Sequence, residues 1–222
     1  MTDPKHMSRS MSASPSDAAG ATVVQEPTAM EASRVSESSE KAKRIVVAAL
    51  LAALSVAAAP IATYLPRIGG WGIAFFDPVS IFWISAFLIG GIWVGMISTV
   101  AGTFVLFFTD PTGIGPVFKF LATIPMIVIP WLAVRIFGRE MGGSYLSARL
   151  NYAFPMSIAY VVRQLIMIPA NLAIVPLFLP LMPPDQIIAY TFLLNTIQSF
   201  WDALVPYVVV FPSMVFRHFK MW

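Results

Sequence analysis

Pro78–Phe108 reads PVSIFWISAFLIGGIWVGMISTVAGTFVLFF, and no charged residue interrupts it. As one straight helix it would be about 46 Å long at ~1.5 Å per residue, against a hydrocarbon core of ~30 Å. Gly90, Gly91 and Gly95 sit in its middle. The stretch therefore reads as two short helices, Pro78–Gly90 and Trp93–Phe108, joined by a tight glycine turn. With the turn the chain has six helices and both ends on one side; without it there are five. Lys41, Lys43 and Arg44 precede the first apolar run, and Arg135, Arg139, Arg149, Arg217 and Lys220 lie further on. Only the six-helix count gathers all of these on the cytoplasmic side, where loop Lys and Arg concentrate.

Working outward, the other apolar runs are as long. Helix 1 is expected over Ile45–Tyr64, helix 4 over Val117–Phe137, helix 5 over Asn151–Phe178 and helix 6 from Asp185 to Phe216. Pro125 and Pro130 should kink helix 4, since proline removes a backbone donor. The chain of 222 residues is 58% hydrophobic and 11% charged, outside the range of soluble domains. The fold class expected is an all-α membrane protein: a six-transmembrane-helix bundle over 41–222, multi-pass in the plasma membrane, with both termini cytoplasmic. Residues 1–40 are rich in Ser and Ala and are expected to form a disordered, solvated tail. It contains no signal-peptide core, and Met7, Met11 and Met30 are alternative starts.

Composition also excludes. Zero cysteines leave no disulfide and no thiolate metal site. The two histidines, His6 and His218, fall outside the expected membrane spans, so a His-based metal site or protease dyad is not expected. There is no P-loop and no Gly-x-Ser-x-Gly. The net charge of +3 comes from basic residues at helix ends, which sets topology and does not suggest nucleic-acid binding. No cofactor, metal or catalytic residue is expected, and an intramembrane enzyme using Asp202 lacks a second carboxylate or histidine in the bundle.

The informative residues are polar ones inside apolar helices, where they are expensive and mark function. Helix 5 carries Arg163, Gln164 and Asn171; helix 6 carries Asn195, Gln198 and Asp202 in one stripe. Counting rises from the helix ends puts Arg163 and Asp202 near mid-membrane and Asn171, Asn195 and Gln198 together in the outer half. Arg163 and Asp202 are the expected ion pair, either a clamp between helices or an anchor or gate for a ligand. Pro206 leaves the Asp202 carbonyl without its helical donor. The three amides both donate and accept, which suits a ligand with hydroxyls or amides or, equally, glue between helices. Lys119 is a further candidate for substrate binding, although its place at the outer end of helix 4 also suits interfacial snorkelling. Trp71 and Trp201, with Phe75 and Phe118, offer rings to stack on a flat ligand, though aromatics favour membrane interfaces anyway. In helix 1, Ala49, Ala53 and Ala57 form a smooth stripe for close helix approach, either to this chain's own helices or to a partner.

The order of these features resembles the substrate-binding S component of energy-coupling factor vitamin transporters, most of all the riboflavin-specific branch. Six helices and an alanine-rich helix 1 fit the family in general. Phe76-Asp77-Pro78-Val79-Ser80, followed by a short helix and Gly90-Gly91, resembles the start of its helix 2. Thr112-Gly113-Ile114-Gly115 resembles its Gly-rich outer loop. Ala170-Asn171-Leu172 with Val175-Pro176-Leu177-Phe178 resembles its helix 5, and Leu194-Asn195-Thr196-Ile197-Gln198 its helix 6, where Gln198 stands in place of a lysine. The resemblance covers Lys41–Trp222. It implies that Asn171 and Asn195 contact a vitamin-like ligand, riboflavin or a related flavin. It also implies that Ala49, Ala53 and Ala57 dock a membrane T component coupled to two ATPase subunits. Arg163 and Asp202 are not part of the family pattern. The rival reading is a six-helix membrane scaffold, such as a rod-shape-determining protein, with the amides as glue.

Overall fold

The computed structural model describes residues 29–64, 67–68, 73–74, 76–110, 113–213, 215–219 and 221–222. Trp71, Phe75, Thr112, Lys220 and residues 1–28 lie outside the described residues. The chain divides into two compact units, Met1–Glu37 and Ser38–Trp222. Of the first, only the beginning of helix α1, Ala29–Glu37, is described.

The regular structure among the described residues is helical apart from a two-residue antiparallel pair, β1 (Arg67–Ile68) with β2 (Ile73–Ala74). The helices are α1 (Ala29–Ala58), α2 (Ile61–Tyr64), α3 (Pro78–Leu106), α4 (Ile114–Phe137), a 3₁₀ helix (Gly142–Ser147), α5 (Arg149–Phe178), α6 (Pro184–Val210) and α7 (Val215–Phe219). By length and composition α3, α4 and α5 are candidate membrane spans, the make-up of a membrane protein; α3 reaches that length only with both sides of Gly91 counted together.

Prolines set the boundaries that hydropathy misses. Helix 1 does not run to Tyr64: Pro60 has no N–H, and the chain turns with Ala59 N–H donating to the Val56 carbonyl. Helix 6 stops at Val210, one residue before Phe211-Pro212, and restarts as α7. Conversely, α4 begins at Ile114 because Pro116 falls in its first turn, where proline leaves no helical bond unmade. Pro125 and Pro130 lie inside one continuous α4.

α3 is not one rod. Gly91 has φ 81° and ψ −172°, a conformation open essentially to glycine alone, and there the chain folds back. The two arms of this hairpin meet through small residues. A Cβ on Gly95 would lie 2.6 Å from that of Phe87, and one on Gly102 would collide with the Trp83 indole nitrogen. Trp83 itself is fully buried and donates from Nε1 to Ser55 Oγ of α1 at 2.8 Å. Ala48, Ala52 and Ala58 accompany Ser55 on the inward side of α1. At the hairpin turn, Trp222 packs on Phe87 with centroids 5.2 Å apart, and its Nε1 donates to the Leu88 carbonyl at 3.1 Å. Arg44 donates to the Met221 carbonyl at 2.7 Å, holding that segment to α1.

Candidate functional site

Four helices bring polar groups together between mid-bundle and the end where α3, α4 and α6 begin and α5 finishes. Their centre is Arg163 of α5, whose side chain is 3% exposed. Its guanidinium reaches along one face of α6. Nε donates to Asn195 Oδ1 at 2.8 Å, Nη2 to Gln198 Oε1 at 3.1 Å and Nη1 to Asp202 Oδ2 at 2.6 Å. The three acceptors share a face because spacings of three and four residues return to the same side of a helix. The second carboxylate oxygen, Asp202 Oδ1, accepts from Ser80 Oγ of α3 at 2.5 Å. One node thus ties α3, α5 and α6. An unpaired charge at this position would cost at least ~2.5 kcal/mol in a bilayer, and the arrangement leaves neither charge unpaired.

Nearer the end of the bundle is a second pair. Lys119 of α4 holds both oxygens of Asp77, at 2.8 and 2.7 Å. Asp77 also caps α3 by accepting from Val79 N–H at 3.1 Å. Lys119 is therefore committed to a carboxylate and does not snorkel alone to the interface.

Between the pairs lies a cavity of about 160 Å³. Asp77, Ser80, Lys119, Arg163, Asn195 and Gln198 form its polar wall. Phe118, Met167 and Leu194 form its apolar wall and are shared with a larger cavity of about 620 Å³ towards the α5–α6 turn. Asn171 lines that larger cavity with Gln186 and Tyr190. The expected trio of amides at one depth is thus divided. Asn195 and Gln198 serve Arg163 in the smaller hollow, while Asn171 stands in the larger one and donates to its own helix at Met167 O, 2.8 Å. Asn195 is also held by its Nδ2 bond to Thr191 O at 2.9 Å.

Hydrogen-bonding capacity remains on the cavity walls, at two of the three expected amides. Among the described residues, neither Asn171 Oδ1 nor Gln198 Nε2 has a partner, and both residues line cavities. One is an acceptor and the other a donor. Trp201 joins neither cavity; its ring meets Phe76 edge-on at 5.6 Å. Ala49, Ala53 and Ala57 face outward on α1, so the inward packing uses the neighbouring stripe instead. Sequence reasoning did not place Ser80, Gln186 or Tyr190 at the site. Asp77 had a readable signal, an Asp immediately before Pro78 at a helix start, which marks a cap but not its lysine partner. Among the described residues no three of His, Cys, Asp or Glu converge as a metal set.

No family model and no curated protein matches the chain.

Proposed function

We propose that the chain is a membrane-embedded binding subunit that takes up a small vitamin-like molecule, a flavin or related compound being preferred. It is read as a non-enzyme with six spans and both termini in the cytoplasm, in the manner of an energy-coupling factor S component. The observation that carries this reading is the pair of adjoining cavities, about 160 and 620 Å³, with unspent amide groups on their walls. The larger falls in the range that holds small ligands, and the smaller extends it by a polar recess; ligand sites are largely apolar with a few polar groups to orient the solute. A polar end of the solute would enter the smaller hollow, within reach of Gln198 Nε2. A flat apolar portion would lie against Phe118, Met167 and Leu194, within reach of Asn171 Oδ1.

The scaffold alternative asks that the amides bond to one another across a filled interior. Asn171 and Asn195 instead bond to Met167 and Arg163 respectively, beside open volume. The outward stripe Ala49, Ala53 and Ala57 supports docking of a second membrane protein, here the T component that would couple to two ATPase subunits. The positive-inside bias supports the orientation.

Purified protein in detergent, screened against vitamins including riboflavin, should be stabilised to heat by its solute, because a ligand of the folded state raises stability by mass action. Asn171→Ala and Asn195→Ala together should weaken that solute by roughly ten-fold or more, since an orphaned buried partner costs ~1–3 kcal/mol. A screen in which no compound stabilises the protein, or a bound solute indifferent to both substitutions, refutes the site.

A further inference from the structure

The structure assigns a second binding site, for an anionic glycerophospholipid, to a groove on another face of the α5–α6 pair. This site rests only on the chain lying in a bilayer and not on solute uptake. A hollow of about 460 Å³ runs between the helices along Tyr152, Met156, Tyr160, Ser199 and Ala203. A second, of about 720 Å³, continues it past Ser144, Ser147 and Phe211. Arg149, Leu204 and Tyr207 border both, so the two form one trough that starts where α5 starts.

Three features give the trough a chemistry. Arg149 is exposed at its open end and has no ion-pair partner among the described residues. It is also the first residue of α5, and Ala148 before it provides no side-chain cap for the first-turn amides. A helix start of this kind favours a phosphate. The third feature is independent. Ser199 is 5% exposed, lines the trough, and its Oγ has no hydrogen-bond partner. A buried serine in a helix ordinarily bonds back to the carbonyl four residues earlier; this one does not.

The other hydroxyls along the trough are spent. Tyr152 donates to Ala203 O at 2.8 Å, Tyr207 to Ser147 O at 2.7 Å, and Ser157 to Ala153 O at 2.9 Å. Tyr160 pairs with Thr196 at 2.9 Å. What the trough wants is therefore an anion at the mouth, a single acceptor further in, and hydrocarbon along the rest. A glycerophospholipid with an anionic headgroup supplies phosphate, ester carbonyl and acyl chain in that order. A free anion leaves Ser199 and the apolar walls unused.

The test uses full-length protein in detergent, with lipid retention read by native mass spectrometry and stability by thermal denaturation. Phosphatidylglycerol should be retained roughly ten-fold better than phosphatidylcholine with the same chains, as expected for one charge-assisted contact, and should raise the melting temperature. Arg149→Gln should erase that preference. Ser199→Ala should lower retention of phosphatidylglycerol roughly five-fold, for one net hydrogen bond, while leaving the lipid-free protein as stable as before. Equal retention of the two lipids overturns the site, as does a preference that survives Arg149→Gln. Stabilisation by inorganic phosphate alone, matching that by lipid, also overturns it.

Discussion

Two antiparallel helix pairs in this molecule solve one problem in opposite ways. The arms of α3 close on each other through glycine, Gly95 on Phe87 and Gly102 on Trp83, with no charge between them. The pair α5–α6 closes through a guanidinium that binds three side chains of the facing helix. Neither can lean on the hydrophobic effect, because lipid tails are as apolar as the helices; packing and hydrogen bonds must do the holding. The difference teaches where function can reside. Glycine contacts exclude volume, and among the described residues the hydroxyls left without a partner there, Ser98 and Thr103, are buried with no cavity lined by them, whereas beside the charged pair lie cavities whose walls keep an unused donor and acceptor.

That contrast can be broken by substitution. The largest effect is expected at Arg163→Leu, which strands the Asp202 carboxylate. Loss of one partner from a buried pair costs about 3–5 kcal/mol, read as a fall in denaturation midpoint or in recoverable folded protein. Arg163→Leu combined with Asp202→Leu should recover most of that loss, and failure to recover would show that the node is worth more than its charges. Next comes Gly102→Leu, which drives a side chain into Trp83 and should cost about 1–3 kcal/mol by the same measurement. If it proved harmless, the arms would not be held by close approach. Trp83→Phe removes the donor to Ser55 and should cost about 1 kcal/mol. The smallest stability change belongs to Asn171→Ala, under ~0.5 kcal/mol, because its one bond is to its own helix. The same substitution should nonetheless weaken solute binding, which separates a residue of the site from one of the frame.

The fold was legible where length and glycine spoke together. A run too long for the bilayer, with Gly90-Gly91 at its centre, had to turn, and Gly91 does. Arg163 and Asp202 could be matched by depth, since mid-membrane charges need partners. Depth is too coarse to say which neutral groups a guanidinium will recruit, so sequence leaves Asn195 and Gln198 open to a ligand or to glue between helices, while in the structure each accepts from Arg163. Ser80 and the Asp77–Lys119 pair come from helices distant in sequence, and no spacing rule connects them. α1 shows a different limit. Ala48 and Ala52 repeat at the same spacing as Ala49, Ala53 and Ala57, and only packing decides which stripe turns inward.

The hairpin turn at Gly91 has one more effect. Each arm of α3 rises only about 20 Å at ~1.5 Å per residue, so on the six-span reading the lipid beside it would have to compress while lipid beside α5 would not. The mismatch is lopsided, and it costs fractions of a kcal/mol for every ångström. A chain built this way should dwell in thinner membranes and tilt towards its shorter flank.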